Sequence, residues 1–267
     1  SIDHFLGKEL VVGLVESPEA LTYIGIFDRF DWITKHNSRL SIPRDDDIEE
    51  GIKELEKSIK TLYKYKDSRL TDIQKSTKKI AIFDYENNLK ELKQFPYHDY
   101  PLNQIGGTHL NTIQFLSDMH PVRSTSEAEG FISRVNLVKE VYEATVKDLE
   151  KQADAGIFPP EFVYKHVIEQ LNEFINFDFE EHPLFTQFMK KVKDLNLDSE
   201  KESLFEEAIK RGIDESVTPG FILLKDFMVK TQKSANKNHG IWSQPNGDEY
   251  YKLRIRSYTT TEYSPEE

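Results

Sequence analysis

The sequence contains no cysteine among its 267 residues, which excludes disulfide bonds, thiol nucleophiles and thiolate metal sites. It also has no apolar run approaching the roughly 20 residues that a membrane-spanning helix needs. No signal peptide is visible after Ser1, which is not a natural start residue. The sequence therefore predicts no transmembrane segment and leaves open that a signal or anchor preceded Ser1.

Basic residues are too few to favour nucleic acid as the main partner. There are 35 Lys and Arg against 47 Asp and Glu, which gives a formal net charge of −12. Phosphate binding requires a basic surface, so we predict no nucleic-acid partner. Most of the acidic residues are expected on solvated helix faces.

The chain also lacks the motifs that carry common catalytic chemistry. None of its eight histidines lies in an H-E-x-x-H arrangement or is paired with another at i, i+4 spacing. There is no G-x-S-x-G elbow and no glycine-rich phosphate loop. We predict that the chain has no catalytic residue and no metal ligand of its own. His166, on an apolar helix face, is predicted to be a hydrogen-bonded core residue.

Apolar residues recur at helical spacing over most of the chain, which predicts a mainly α fold. The expected architecture is an array of long amphipathic helices and helical hairpins, with little or no sheet, in a single helical region 1–267. Residues 249–258 are compatible with either a strand or a helix. The predicted helices are 48–62 and 73–93, paired as an antiparallel hairpin, then 109–119, 124–153, 160–175, 184–195 and 199–230, the last broken or kinked near Gly212 or Pro219.

Two stretches are more specific than generic helices and loops. The first runs from Tyr100 to His109 and contains Asn103 and Gln104, whose amides can bind backbone groups. It is either a structural loop that pins two helices or part of a binding site. The second, from Trp242 to Tyr258, contains Tyr and Arg residues that could line a cleft and hold a carboxylate, or form a partly exposed amphipathic element.

The last four residues, Ser264-Pro-Glu-Glu267, have the pattern of a helix start. Ser is a good N-cap, Pro suits the first helical position, and the glutamates favour the positive end of the helix dipole. The pattern indicates either a frayed tail or a polypeptide that continues.

Four segments together resemble one bacterial family. They are "YPLNQIGGTHLNTIQFL", "HPVRSTSEAEGFISRV", "ADAGIFPPEFVYKHVIEQL" and "PNGDEYYKLRIRSYTTTEYSPEE". The chain resembles the family called domain of unknown function 885 from about Glu16 to its last residue. Members are described as lipoproteins and look like zinc metallopeptidases, with a helical N-terminal half and a C-terminal half that carries a histidine–glutamate motif.

The resemblance implies that this chain is the N-terminal half of a longer protein and that zinc belongs to the absent C-terminal half. It also implies an extracytoplasmic location, periplasmic or lipid-anchored to the envelope. The family's motifs match Asn103, Gln104, Gly106, Gly107, Arg134, Pro160, Pro245, Gly247, Tyr250, Tyr251 and Arg254.

From this resemblance we predict the substrate-cleft and scaffold half of a zinc-dependent peptidase, inactive alone. Its partners would be a peptide-like substrate and its own C-terminal half. The candidate substrate-binding residues are Tyr250, Tyr251, Arg254, Asn103 and Gln104. The alternative is a non-enzymatic helical binding module of the bacterial cell envelope.

Overall fold

A computed structural model describes residues 1–27 and 35–267. Within these residues the chain is mainly helical, and one isolated bridge between Pro160 and Asn236 is the only β pairing. The predicted all-α fold is confirmed. The helices are α1 (Ile2–Glu16), α2 (Pro18–Ile24), α3 (Asp47–Tyr63), α4 (Asp72–Gln94), α5 (Thr108–Gln114), α6 (Thr125–Asp154), α7 (Glu161–Ile175), α8 (Pro183–Lys193), α9 (Ser199–Gly212), α10 (Thr218–Thr231) and α11 (Gly247–Thr259).

Helices α3 and α4 form the predicted antiparallel hairpin. Glu56 pairs with Lys93 near one end, and the Tyr63 hydroxyl donates to Glu86 at 2.9 Å near the turn. Thr71 begins α4 with a complete capping box, because its hydroxyl and the Gln74 side chain each bind the other residue's backbone N–H.

The apolar face predicted for α4 is only partly buried. Ile73 is 80% exposed and Ile80 is 70% exposed, although their spacing is typical of a core-facing stripe. The periodicity therefore located the helix but not the surface that covers it.

Helix α6 runs through the centre of the main core. Its buried face includes Phe131, Val138 and Tyr142. Helices α9 and α10 pack directly against α6, and α5, α7 and α8 contribute residues to the same core. The Ser124 hydroxyl caps the helix by accepting from the Glu127 N–H at 3.2 Å. The Glu127 carboxylate does not close a capping box with Ser124, since it accepts from the Arg123 N–H at 2.6 Å instead.

The break predicted near Gly212 and Pro219 is a π turn, Ile213–Val217, that joins α9 to α10. The ring of Pro219 would clash with the carbonyl four residues earlier in a regular α-helix, and the wider π turn relieves that clash. Both glycines near this joint lie close against α6. A Cβ at Gly212 would be 2.8 Å from Val135 Cγ1, and one at Gly220 would be 2.8 Å from Tyr142 Cδ2.

Residues 247–259 form a helix, so the strand interpretation of this segment is wrong. Asn246, with φ of 54°, turns the chain into α11, whose Tyr250 and Leu253 pack with Phe95 in a second, smaller core. Helix α1 gave no periodic signal, because it is apolar on several sides. No helix in the described ranges has the length and apolar character needed to cross a membrane.

Candidate functional site

Asn103 is engaged by the loop that contains it. Its Nδ2 donates to the Tyr100 carbonyl at 3.0 Å, and its Oδ1 accepts from the N–H groups of Ile105 and Gly106 at 3.0 and 2.9 Å. These bonds use both ends of the amide to close a turn. The geometry favours the structural interpretation of this residue.

Gly107 is a point of close backbone approach within the same loop. A Cβ there would lie 2.7 Å from both the N and the O of Asn103. The adjacent Gly106 is open, with its nearest neighbour, Asn111 Oδ1, 3.9 Å from such a Cβ. Only the second glycine is therefore required by sterics.

Gln104 joins the loop to α7 through its backbone rather than its side chain. Its carbonyl accepts from Gln170 Nε2 at 3.0 Å, and Gln170 Oε1 lies 3.0 Å from His109 Nε2. Gln104 Oε1 is buried without a hydrogen-bond partner among the described residues.

Tyr250 is a core residue on α11, with 2% of its surface exposed. Its hydroxyl donates to Asp99 Oδ1 at 3.0 Å, and its ring lies 4.8 Å from that of His98. Burial, reinforced by the nearby Asp99 carboxylate, raises the pKa of the Tyr250 phenol, so the group remains a donor. Tyr251 is 47% exposed and lines none of the recesses described below.

Arg254 lies in a recess of about 540 Å³ between α1, α4 and α11, which we call the α11 groove. Its Nη1 donates to the two oxygens of Glu91 at 3.1 and 3.4 Å, and its Nη2 donates to the Tyr258 hydroxyl at 2.9 Å. The guanidinium carbon is 5.0 Å from the centre of the Tyr258 ring. Arg254 is thus oriented by a carboxylate and an aromatic ring of its own chain.

The α11 groove combines apolar and polar walls. Ile80 and Phe83 contribute hydrocarbon surface, and Arg256 lies 4.2 Å above the Phe83 ring. Asn87, only 3% exposed, also lines it, and its Oδ1 has no hydrogen-bond partner in the described part of the chain. The groove could bind an extended segment that offers both apolar and hydrogen-bonding groups.

A second recess, of about 460 Å³, is formed by α2, the segment 40–43, the start of α5 and the middle of α6. We call it the loop cleft, because Pro101 and Thr108 come from the predicted loop. Sequence reasoning missed its carboxylates, since acidic residues are abundant and none stood out by spacing. Its lining residues are Glu19, Leu40, Ser41, Pro43, Pro101, Thr108, Asn111, Thr112, Phe115, Val141, Thr145 and Asp148.

Arg134, another residue matched by the family motifs, is completely buried in α6. It donates to the Arg39 carbonyl at 2.9 Å, to the Thr22 hydroxyl at 2.7 Å and to the His36 carbonyl at 3.0 Å. It also binds the Pro18 carbonyl and lies 2.8 Å from His120 Nδ1. Burial lowers the pKa of Arg134 to about 10, which leaves it charged at neutral pH. Arg134 therefore holds the N-terminal segments against α6.

The remaining motif residues are structural. His98 Nε2 binds the Pro245 carbonyl at 2.7 Å, and Pro160 precedes α7. Gly247 has no room for a side chain, because a Cβ would overlap the Ile241 carbonyl. None of these residues presents a reactive group to a recess.

Two buried histidines, His120 and His182, are kept neutral by their surroundings. Desolvation and the adjacent Arg134 charge lower the pKa of His120 to about 3, and desolvation lowers the pKa of His182 to about 4. His120 accepts from Arg134 and donates to the Glu127 carbonyl. The core position predicted for His166 is wrong, since its side chain is exposed on α7 beside Glu169.

Within the residues that the structure describes, one group of three metal-ligating side chains converges, namely Asp46, Asp47 and Glu50. All three are exposed, and Arg44 binds Asp47 at 2.9 Å and Glu50 at 2.6 Å. Zinc sites are built from histidine and cysteine with carboxylate as a minor ligand. These exposed carboxylates do not fit a zinc ion.

The fold is all-α, and comparison with known proteins places the chain in a family. The family described as "Bacterial protein of unknown function (DUF885)" matches residues 18–267, and the chain belongs to that family. A search of curated proteins found no match.

A solved structure has the same fold. It is described as "The crystal structure of the putative lipoprotein from Colwellia psychrerythraea", with a TM-score of 0.80 at 17% sequence identity. The match covers 95% of this chain and 46% of that chain, so this chain spans about half the length of its structural neighbour.

Proposed function

We propose that residues 1–267 form the substrate-cleft and scaffold half of a longer zinc-dependent peptidase, inactive alone. The observation that carries the proposal is the extent of the structural match. It covers 95% of this chain but only 46% of the neighbouring one. A fold that accounts for half of a larger chain supports a division of labour, in which this half shapes the cleft and the other half carries the reactive groups.

The α11 groove supports a role in substrate binding. Glu91 orients Arg254, and the Tyr258 hydroxyl accepts from Arg254, so a substrate carboxylate or carbonyl could accept from the guanidinium without a large rearrangement. In this proposal Arg254 contacts the peptide and Tyr250 fixes α11 against Asp99, while Asn103 and Gln104 stabilise the separate loop 100–109. Tyr251 would contact substrate or the other half from the exposed side of α11.

The proposal assigns zinc to the C-terminal half, because the described residues of this chain do not form a site that suits it. The location we propose is extracytoplasmic. It is supported by the structural neighbour, which is described as a "putative lipoprotein".

The test compares the 267-residue chain with the protein read from the source gene past Glu267. We expect about one zinc per longer chain by atomic emission spectroscopy, peptidase activity against a mixed peptide library, and neither property in residues 1–267. In the longer protein, Arg254→Met should lower kcat/KM by about tenfold or more, whereas Tyr258→Phe, which keeps the ring under the guanidinium, should lower it less. A gene that stops after Glu267, or stoichiometric zinc in residues 1–267, would contradict the proposal.

The alternative is a non-enzymatic helical binding module of the cell envelope. One observation favours it, namely that the loop cleft combines apolar walls with two carboxylates, a lining that suits a small ligand. A module of this kind would bind its ligand at full affinity without any further polypeptide. Equal ligand affinity of the short and the longer protein, without peptidase activity in either, would favour this alternative.

A further inference from the structure

The loop cleft has carboxylates as the only charged side chains among the described residues that line it. They are Glu19 and Asp148, and the other lining residues are apolar or carry hydroxyl or amide groups. Cations also lie near the cleft without lining it, among them Lys151 and Arg134, whose charge interacts with Glu19. Lys151 Nζ is 3.1 Å from Asp148 Oδ1 and also binds Asp45 at 2.8 Å, and the Arg134 guanidinium is 4.9 Å from the centre of the Phe115 ring. The cleft therefore presents negative charge and hydrogen-bond acceptors, and it disfavours an anionic ligand.

Glu19 is held in a fixed orientation at the cleft. The Ser41 N–H donates to Oε1 at 2.7 Å, and the Ser41 hydroxyl donates to Oε2 at 2.6 Å. An ionised carboxylate has about four acceptor sites, so two bonds leave capacity for a donor from a ligand. Because Ser41 already orders the carboxylate, a ligand would bind it with little further loss of side-chain freedom.

The rest of the wall suits hydrocarbon. Leu40 and Val141 are buried beneath the cleft surface, and the Phe115 ring contributes an aromatic face. The cleft volume of about 460 Å³ lies within the range of roughly 300–1,000 Å³ that small-ligand sites occupy. Apolar walls with two carboxylates match a ligand that has an apolar group and a positive charge.

We infer that the loop cleft binds a small ligand that combines an apolar group with a primary ammonium, such as the amino-terminal end of a short peptide. The ammonium donates to Glu19, with Asp148 adding to the negative potential, and the apolar group lies against Leu40, Phe115 and Val141. A charge-assisted bond of this kind is stronger than a neutral one. The inference does not rest on the proposed peptidase function, because the measurement is binding alone.

The test is isothermal titration calorimetry of the 267-residue chain with three probes. Phe-Leu-amide offers the α-ammonium, N-acetyl-Phe-Leu-amide has the same apolar groups without the charge, and hexylamine is an apolar amine that is not a peptide. We expect Phe-Leu-amide to bind and acetylation to weaken binding by about tenfold or more. If hexylamine binds as tightly as Phe-Leu-amide, the ligand is an apolar amine of any kind. If hexylamine binds more weakly, the cleft recognises a peptide.

Variants locate the binding. Glu19→Gln should weaken Phe-Leu-amide binding by about tenfold or more, and Asp148→Asn should weaken it less. The matched control is Glu143→Gln, an exposed carboxylate on α6 that pairs with Lys139 at 3.7 Å outside the cleft. Circular dichroism checks that each variant is folded. If Glu19→Gln does not fold, the inference is tested by the acetylated probe with the parent chain and by the Asp148→Asn variant. No binding of either amine at millimolar concentration, or equal binding of the acetylated probe, would overturn the inference.

Discussion

Replacing Arg134 by methionine should destabilise the docking of the N-terminal segments onto α6. Methionine has a similar length but no donors, so every bond from the guanidinium is lost. The Pro18 and His36 carbonyls keep other donors, the Thr22 hydroxyl and the Arg39 N–H. The Arg39 carbonyl and His120 Nδ1 lose the donor that the structure gives them.

The magnitude follows from those two acceptors. A buried polar group left without a partner costs about 1–3 kcal/mol, so the two together give about 2–6 kcal/mol. Removing a buried charge recovers part of this, because the guanidinium no longer has to be desolvated. We expect a net loss of about 3 kcal/mol from a total free energy of unfolding that is typically about 5–15 kcal/mol.

Urea denaturation measures the global effect, and hydrogen–deuterium exchange locates it. Residues 17–27 and 35–40 should lose protection, while α6 and α8–α10 keep theirs, because those helices share a core that does not depend on Arg134. Arg134→Lys should be intermediate, since an ammonium has three donors and no planar fork.

The matched control is Arg211→Met, an exposed arginine in the last turn of α9. It should change the free energy of unfolding by no more than about 0.5 kcal/mol. If Arg134→Met also stays within about 1 kcal/mol of the parent chain and leaves the protection of residues 17–27 unchanged, the reasoning is refuted.

Three further predictions concern the loop, the small core and the buried histidines. Gly107→Ala should cost about 2 kcal/mol in urea denaturation, because its Cβ would lie 2.7 Å from Asn103 backbone atoms, whereas Gly106→Ala should be nearly neutral; equal effects would contradict the steric argument. Tyr250→Phe should lower the free energy of unfolding by about 1 kcal/mol by removing the bond to Asp99, and Tyr251→Phe should leave it almost unchanged. If Tyr251→Phe were the more destabilising of the two, the packing of α11 described above would be wrong. His182 has a folded pKa of about 4, below its unfolded value of about 6.5, so the unfolded chain binds the proton first and stability should fall as pH drops from 6.5 towards 4. His182 should change the free energy of unfolding by about 1.4 kcal/mol per pH unit in this range. His182→Asn, which keeps a helix cap, should reduce the pH dependence of the free energy of unfolding between pH 6.5 and 5 by about that amount. An unchanged pH dependence would show that this histidine does not take up a proton on unfolding.

Sequence reasoning predicted most helices, because helix formation is governed by local spacing and end signals. The α3–α4 hairpin, the Ser124 cap of α6 and the interruption near Pro219 are all confirmed. The segment 249–258 was ambiguous because its apolar residues fit periods of 2 and 3.6 over too short a length. Packing of Tyr250 and Leu253 against Phe95 decided in favour of a helix.

The candidate site was harder to predict, since a recess is made by residues far apart in sequence. The loop from Tyr100 to His109 was selected from the sequence and does line the loop cleft, yet the Asn103 side chain binds the backbone of its own loop. Glu19 and Asp148 meet at the loop cleft only because α2 and α6 pack nearby. No spacing rule connects positions so far apart.

By itself, the sequence determined the all-α class, the position of most helix ends and the absence of thiol chemistry, because these depend on residue type and on neighbours within a few positions. Tertiary structure alone decided which faces are covered. It left Ile80 and His166 exposed and buried Arg134, whose charge is tolerated because three carbonyls from two separate segments, Pro18 and the stretch 36–39, converge on it. Burial depends on contacts between distant parts of the chain, and a single sequence does not encode those contacts in any local pattern.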